Sequence, residues 1–317
     1  MQRGESADDQ KDNGEKLMSI RLTQNSNEAT HITHGGIFHA DDVFATVILA
    51  MLGDITVMRV FTVPADTRAF VYDIGRGKYD HHQKGGNGAR ETGIPYASCG
   101  LIWRDYGAEA VQNLGCPANL TDRVTAEVDN VLIEGIDGID NGIPIIADST
   151  RIKYNPLNVA EEIGQFNPTW DSCQHPDEAF AAACKFAEGI LHRTIEYAIS
   201  NAKAESRVMD AIQKTVGHIL VLPEYMPWVE AVFKAEREKE NEIWYIIFPS
   251  RRGDYSVQCI PDVPGSFGQR HPLPKEWWGN PKASGVEGCT FVHANGFIAA
   301  CDTLEHALKL AQIASKE

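Results

Sequence analysis

The sequence contains no apolar run that approaches the ~18 to 20 residues of a membrane-spanning helix, so we expect no membrane-bound part. Positive charge is also scarce, with 29 lysines and arginines against 44 aspartates and glutamates and a net charge of −15. A broad groove that binds nucleic acid regardless of sequence needs a basic face, and this balance argues against one. A nucleic-acid enzyme is not excluded, because acidic metal ligands raise the negative count and bound cations supply positive charge locally.

Paired cysteine motifs are absent from the chain. The seven cysteines are odd in number, are widely scattered and form no C-x-x-C pair. We therefore predict reduced, mostly buried thiols and a cytoplasmic protein. Residues 1–29 are polar and lack the apolar core of a signal peptide, which predicts a mobile tail.

The length of 317 residues allows two domains at ~150 residues each. Between residues 30 and 216, apolar strands alternate with helical patterns, which predicts an α/β domain with a doubly wound, mainly parallel sheet. Residues 217–317 contain several strands in succession and a closing helix, which predicts a smaller, mainly antiparallel α+β domain. No internal repeat is present.

Histidines and aspartates cluster where the predicted elements of the first domain meet. A strand near residue 31 leads through His34, a glycine-bearing loop and His39 into a buried helix that begins at Asp41 and Asp42. Helix capping alone explains this Asp pair equally well. Without the nearby histidines, the sequence does not decide between capping and metal binding.

A second cluster follows the next apolar strands. The strand predicted at residues 69–75 carries Asp73 at its end, and Asp80, His81 and His82 come soon after. Open α/β sheets bind ligands at the carboxyl ends of their strands, so these side chains fall at the expected edge. Simpler interpretations also fit, because an aspartate initiates turns and a His-His pair occurs by chance in exposed loops.

A predicted helix at residues 120–140 adds Asp137 and Asp140 three positions apart on one face. The collected imidazoles and carboxylates suit Mn²⁺, with Mg²⁺, Co²⁺ and Zn²⁺ as alternatives, and the lack of thiolates argues against structural zinc and iron–sulfur clusters. A set of this size suits two ions, which at roughly 3.5–4 Å apart activate water for phosphoryl transfer. The candidate ligands are His34, His39, Asp41, Asp73, His81, and Asp137 or Asp140.

Four stretches resemble the metal motifs of the DHH phosphoesterase superfamily, which includes RecJ-type exonucleases, oligoribonucleases and manganese pyrophosphatases. They are residues 34–42 (His-Gly-Gly-Ile-Phe-His-Ala-Asp-Asp), 71–75 (Val-Tyr-Asp-Ile-Gly), 79–83 (Tyr-Asp-His-His-Gln) and 138–142 (Gly-Ile-Asp-Asn-Gly). Downstream stretches such as 166–170 (Phe-Asn-Pro-Thr-Trp) and 291–297 (Phe-Val-His-Ala-Asn-Gly-Phe) make the closer resemblance one to the melanocyte-proliferating-gene (Myg) family. Its members are described as metal-dependent hydrolases and 3′–5′ RNA exonucleases.

The resemblance implies a role for each candidate. One ion is expected on His34, His39 and Asp41, with Asp73 as the bridge to a second ion on His81 and either Asp137 or Asp140. Asp140 is favoured, because it begins an Asp-Asn-Gly stretch that resembles the Asp-small-Gly ending of related sites. His82 is expected to face the scissile phosphate as a general acid or charge stabiliser, and Asp80 to orient an imidazole. The substrate-binding candidates of the second domain are Arg270, His293, Asn295 and Gly296, for which a structural strand-and-turn network is an equally good explanation.

The implied activity is that of a two-metal phosphodiesterase that trims RNA or short oligonucleotides from an end. The alternative is a phosphatase or pyrophosphatase that acts on small nucleotides or phosphorylated metabolites. The acidic composition and the lack of an aromatic-basic run favour this alternative slightly. The expected partner is therefore a nucleic acid or a small phosphorylated molecule, and a homodimer is left open.

Overall fold

The structure, a computed structural model, describes residues 19–143, 157–237, 242–266 and 268–316. The chain divides into two compact units, Met1–Ala198 and Ile199–Glu317, and the division falls within the long helix α6 (Pro176–Lys214). The boundary predicted from the sequence lies just beyond this helix. Most of the predicted tail, residues 1–18, lies outside the described residues.

The first unit is built on a four-stranded sheet in the order β1-β3-β2-β4, with every neighbouring pair parallel. The strands are β1 (Ile20–Leu22), β2 (His31–His34), β3 (Ile55–Val60) and β4 (Phe70–Val71). The predicted α/β class with a parallel sheet is therefore confirmed. β1 lies inside the segment predicted as a tail, so ordered structure begins earlier than expected, because three residues in a polar context carry too little apolar pattern to reveal a strand.

Helices pack on this sheet and carry part of the candidate site. α1 (Ala40–Ala50) is buried along its whole length and packs against α2 (Ser98–Asn113). The helix predicted at residues 120–140 forms three consecutive pieces, after which α5 (Val159–Gly164) follows. The pieces are α3 (Thr121–Val128), a π-helical turn (Asp129–Ile133) and α4 (Glu134–Asp140). Such π-helical turns are frequent at functional sites.

The second unit contains a five-stranded sheet in the order β5-β6-β7-β9-β8. β5 and β6 are parallel, and the other pairs are antiparallel, which confirms the predicted α+β character. Its elements are β5 (Ile219–Val221), α7 (Val229–Arg237), β6 (Tyr245–Pro249), β7 (Tyr255–Cys259), β8 (Cys289–Val292), β9 (Ile298–Cys301) and α8 (Leu304–Ala314). Across the described part of both units, no helix is long and apolar enough to cross a membrane.

Candidate metal centre

The loop between β2 and α1 begins and ends with histidine. His34 is the last residue of β2, where it pairs with Val60 of β3, and the Gly35 N–H donates to the Val60 carbonyl at 2.7 Å. His39 occupies the N-cap position of α1, and its N–H donates to Asp42 Oδ1 at 2.8 Å. Asp42 therefore caps the helix with one oxygen, and its second oxygen remains for other chemistry.

Asp41 is oriented by the first turn of α2. Its Oδ1 accepts the Cys99 N–H at 2.6 Å, and its Oδ2 accepts the Ser98 N–H at 3.0 Å. These are free N–H groups of a helix N-terminus, where the helix dipole also favours negative charge. Consecutive helical residues differ by ~100° in direction at 3.6 residues per turn, so Asp41 and Asp42 serve different sides of α1.

Asp73 follows β4 with a φ of 54°, in the left-handed region that a non-glycine residue rarely adopts. Its Oδ2 lies 3.2 Å from His34 Nε2, and its Oδ1 lies 3.5 Å from His81 Nε2. The Ser98 hydroxyl donates to Oδ1 at 3.0 Å. The two oxygens of one buried carboxylate thus face two different imidazoles.

Asp80 is buried and orients His82. Its Oδ1 accepts from both the backbone N–H and Nδ1 of His82, each at 2.9 Å, and its Oδ2 accepts the Arg76 N–H at 2.5 Å. With Nδ1 engaged, Nε2 is the ring nitrogen of His82 that remains for a ligand, and the side chain is 60% exposed. An orienting role would need these contacts, and the role of Asp80 stays a prediction.

The structure separates Asp137 from Asp140. Asp137 is fully buried, and its oxygens accept the Gly100 N–H at 2.9 Å and Arg90 Nη1 at 2.6 Å. Arg90 also forms a two-point ion pair with Asp129 in the π-helical turn. A Cβ at Gly100 would collide with Asp137, so glycine is needed there. Asp140 differs, because its Oδ2 lies 3.1 Å from Nε2 of His81, another predicted metal ligand.

The potential ligand atoms fall into overlapping groups in which all atoms lie within 4.8 Å of one another. Three of the groups combine histidine with aspartate, and a fourth contains a cysteine; they are His34, Asp42 and Asp73; Asp73, His81 and His82; Asp41, His81 and Asp140; and Asp41, Cys99 and Asp137. The structure thus brings most predicted ligands together, but it pairs Asp41 with His81 rather than with His34. His39 lies outside these groups, exposed, with its ring centroid 6.0 Å from that of His34.

Among the residues that the structure describes, two buried polar atoms of the site have no hydrogen-bond partner. Asp42 Oδ2 lies 3.3 Å from His34 Nε2, and His81 Nε2 lies 3.1 Å from Asp140 Oδ2, yet neither contact is a hydrogen bond. Buried polar groups are rarely left unpaired in this way. A divalent cation between such lone pairs would satisfy them, and the mixed nitrogen and oxygen donors fit Mn²⁺ or a similar ion.

The pKa values of the site residues also favour a bound cation. Burial and neighbouring carboxylates raise the pKa of Asp41 well above its usual value, and burial raises the pKa of Asp42 to about 7. Burial lowers the pKa of His34 and His81, but the surrounding carboxylates outweigh it and raise these values to about 9 and about 11. The site therefore attracts positive charge, and a metal ion would displace protons from the same atoms.

Two adjoining clefts open onto these residues. One runs from Ile37 to Gly75 and Arg76, the other extends toward α4 and α5, and His39 and His82 line both. Arg76 is the only lysine or arginine on either wall, as far as the described residues show. The clefts therefore expose an imidazole-rich and carboxylate-rich surface with a single fixed positive charge.

Residues outside the predicted set hold the loop between β2 and α1 in place. Asn167 Oδ1 accepts the Phe38 N–H at 3.0 Å, and its Nδ2 donates to the Phe38 carbonyl at 2.9 Å. Arg59 is buried and donates to the Gly36 carbonyl at 2.8 Å. Asn167 lies in the Phe-Asn-Pro-Thr-Trp stretch noted in the sequence, but nothing in the sequence pairs it with a residue 129 positions earlier.

The substrate-binding candidates lie in the second unit. His293, Asn295 and Gly296 share the turn between β8 and β9, where the Asn295 N–H donates to His293 Nδ1 at 3.1 Å. Gly296 has a φ of 67°, which favours glycine. The Arg270 guanidinium lies 4.5 Å from the centre of the Phe233 ring. These contacts are structural, and the substrate-binding role of the four residues stays a prediction.

Comparison with known proteins gives the family. The model of the MYG1_exonuc family, described as "Uncharacterised protein family (UPF0160)", matches residues 30–314. The chain belongs to this family. A MYG1 protein of Dictyostelium discoideum is 30% identical to it over 90% of this chain and 95% of its own length. The MYG1 exonuclease of Homo sapiens is 29% identical over 88% of this chain and 84% of its own length.

Asp137 and Asp140 have different surroundings, so their substitution should have different effects. Asp140→Asn should weaken Mn²⁺ binding at least tenfold with little change in stability, because its carboxylate faces the His81 imidazole. Asp137→Asn should lower the free energy of unfolding by about 3 kcal/mol, because it removes a buried partner of Arg90. Isothermal titration with Mn²⁺ and urea unfolding of the metal-free protein measure the two effects. The reverse pattern would make Asp137 the ligand.

Proposed function

We propose that this chain is a two-metal phosphodiesterase that removes nucleotides from the 3′ end of RNA or short oligonucleotides in the cytoplasm. The proposal includes a DHH-like, doubly wound architecture for the first unit. Its support is the coincidence of a partly buried His/Asp cluster, two solvent-open clefts and a relative named as an exonuclease.

One observation carries the proposal, namely the position of Asp73. Its two oxygens face His34 and His81 from opposite ends of a single carboxylate, at 3.2 and 3.5 Å. A carboxylate placed between two ligand groups is the expected bridge of a two-metal site. Its left-handed backbone supports this role, since strained conformations persist mainly where function requires them.

The ligand groups suggest an assignment that differs in part from the sequence-based one. We place His34, Asp42 and Asp73 around the first ion, with His39 approaching from the cleft. We place Asp41, Asp73, His81 and Asp140 around the second ion. When bound, the two ions would polarise the attacking water and neutralise charge on the phosphate. Manganese suits these donors, and magnesium, cobalt and zinc remain alternatives.

His82 is the residue best placed to act on the substrate. Asp80 holds its Nδ1–H, which leaves Nε2 directed to the clefts and fixes the ring orientation, as a carboxylate does for a catalytic imidazole. A protonated Nε2 can donate to the leaving oxygen or stabilise charge on the phosphate. Asp80 is thus a positioning residue, and His82 is the proposed catalytic one.

A second candidate function has its own support. Only one lysine or arginine lines the clefts within the described residues, whereas a long nucleic acid is usually bound by many basic groups. A small substrate such as pyrophosphate or a phosphorylated metabolite needs fewer contacts. The choice between the two functions is therefore a choice of substrate length.

A substrate panel tests the proposed function directly. With Mn²⁺ present, a 5′-labelled RNA oligomer should shorten stepwise from its 3′ end, and chelation of the metal should stop the reaction. A dinucleotide and pyrophosphate serve as the short substrates. Turnover of pyrophosphate without any shortening of RNA would replace the exonuclease proposal by the pyrophosphatase alternative.

His82→Ala should lower kcat by roughly 10²- to 10⁴-fold, the usual contribution of a general acid, because it removes the Nε2 group without removing a proposed metal ligand. Thermal unfolding and Mn²⁺ content should stay close to those of the unchanged protein. His175→Ala is the matched control, since His175 is similarly exposed and lies outside the cluster. Equal turnover in both variants would eliminate the catalytic role of His82.

Asp73→Asn should lose both ions, because the bridging carboxylate serves both ligand groups. Asparagine suits this position as a test, since it has a similar shape and tolerates a positive φ. Elemental analysis after dialysis against Mn²⁺ should show close to zero ions per chain, with circular dichroism unchanged. Retention of two ions would refute the bridging assignment.

A further inference from the structure

An exposed apolar pair borders the candidate metal centre. Phe61 is 85% exposed and Ile37 is 71% exposed. Phe61 follows Val60, which pairs with His34 at the end of the parallel strands, and its ring packs against Gly36, where an added Cβ would lie 3.2 Å away. Both apolar side chains therefore sit beside the loop that carries the metal-binding histidines.

Arg76 lines the cleft that Ile37 also lines. Arg76 has a φ of 59°, so it is the second non-glycine residue after Asp73 with a left-handed backbone in the loop after β4. Its N–H donates to Asp80 Oδ2. Within the described part of the chain, its guanidinium forms no ion pair with any carboxylate. Asp80 in turn orients His82, so the backbone that presents Arg76 also fixes the proposed catalytic residue.

We propose that Phe61 and Arg76 form a nucleotide-binding rim around this cleft. The Phe61 ring stacks on a nucleobase, with Ile37 beside it, and the Arg76 guanidinium binds a phosphate adjacent to the scissile one. This inference rests on the proposed phosphodiesterase activity and names its substrate class. The substrate is then a nucleotide chain with at least one base and two phosphates, rather than pyrophosphate or a sugar phosphate.

The chemistry of the rim suits an exonuclease with little sequence preference. Every nucleobase has a flat face that an aromatic ring can contact, so stacking on Phe61 tolerates any sequence. Arginine binds phosphate through paired N–H donors in a fixed plane, which positions the backbone. In a cleft dominated by carboxylates, this one guanidinium also reduces the repulsion of a polyanionic substrate.

The Phe61 contact is tested with a matched abasic substrate. One RNA oligomer is intact, and others carry an abasic residue in turn at each of the last three nucleotides. The unchanged protein should lose about tenfold in kcat/KM at one abasic position. Phe61→Ala should lose a similar factor on intact RNA and nothing further at that position, and Phe61→Trp should restore activity. Equal, additive losses in Phe61→Ala at every position would overturn the stacking role.

The Arg76 contact is tested with a methylphosphonate, which removes the charge of one linkage next to the scissile phosphate. Arg76→Gly suits this test because glycine adopts the positive φ without strain, so the loop keeps its backbone conformation. The unchanged protein should lose about tenfold in kcat/KM on the neutral linkage, whereas Arg76→Gly should not distinguish the two substrates, and Arg76→Lys should recover part of the difference. A variant that still discriminates as strongly as the unchanged protein would refute the contact.

A binding measurement separates failure of the rim from failure of the proposed function. Fluorescence anisotropy with the same oligomers, and Ca²⁺ in place of Mn²⁺, reports affinity without turnover. If RNA binds with the predicted dependence on Phe61 and Arg76 in Ca²⁺ but is not cleaved in Mn²⁺, the rim is supported and the exonuclease proposal is wrong. If RNA is cleaved and neither substitution changes binding or kcat/KM, the exonuclease proposal holds and the rim falls.

Discussion

The repulsion among buried carboxylates is the constraint on which the first unit depends. Asp41, Asp42 and Asp73 are almost fully inaccessible to solvent and lie within one small volume together with Asp140. Such crowding is costly unless donors or cations offset it. The N-terminus of α2 supplies two N–H groups to Asp41, and Asp42 accepts the N–H of His39, the N-cap residue of α1. Two buried polar atoms of the site are still left without partners among the described residues. Cations bound between these groups would therefore stabilise the folded chain.

Polar residues that surround the cluster pair with several of the backbone and carboxylate groups nearby. Arg90 neutralises Asp137, Asn167 satisfies the backbone of Phe38, and Arg59 satisfies the Gly36 carbonyl. Each of these contacts pairs a polar group that would otherwise need a hydrogen bond or ion pair from a candidate ligand side chain. The imidazoles and carboxylates of the site therefore keep their lone pairs for a ligand, which is how outer contacts tune a metal site.

The sequence predicts which residues belong to this site better than it predicts which of them lie next to one another. Clustering at strand ends follows from the parallel α/β pattern, and the relevant residues are visible as short polar motifs. Local pattern cannot decide whether Asp41 or Asp42 faces His34, since one helical position rotates a side chain by ~100°. It cannot separate Asp137 from Asp140 either, because that separation depends on Arg90, 47 positions before Asp137. Contacts of this range are set by tertiary packing, as β1 also shows by joining the sheet with only three residues.

At Asp73, an unfavourable backbone conformation places the carboxylate between two imidazoles. A left-handed conformation costs most L-amino acids roughly 1–2 kcal/mol and costs aspartate less, and glycine would avoid the cost altogether. Glycine, however, has no carboxylate, and a relaxed backbone would turn the side chain away from one of its two imidazoles. The N–H of Asp73 donates to the Tyr79 carbonyl at 2.8 Å, so the loop that delivers Asp80, His81 and His82 folds back on this strained residue. The backbone of Asp73 therefore links the proposed bridging carboxylate to this loop, and a change in its conformation would move the carboxylate away from one of the two imidazoles that it faces.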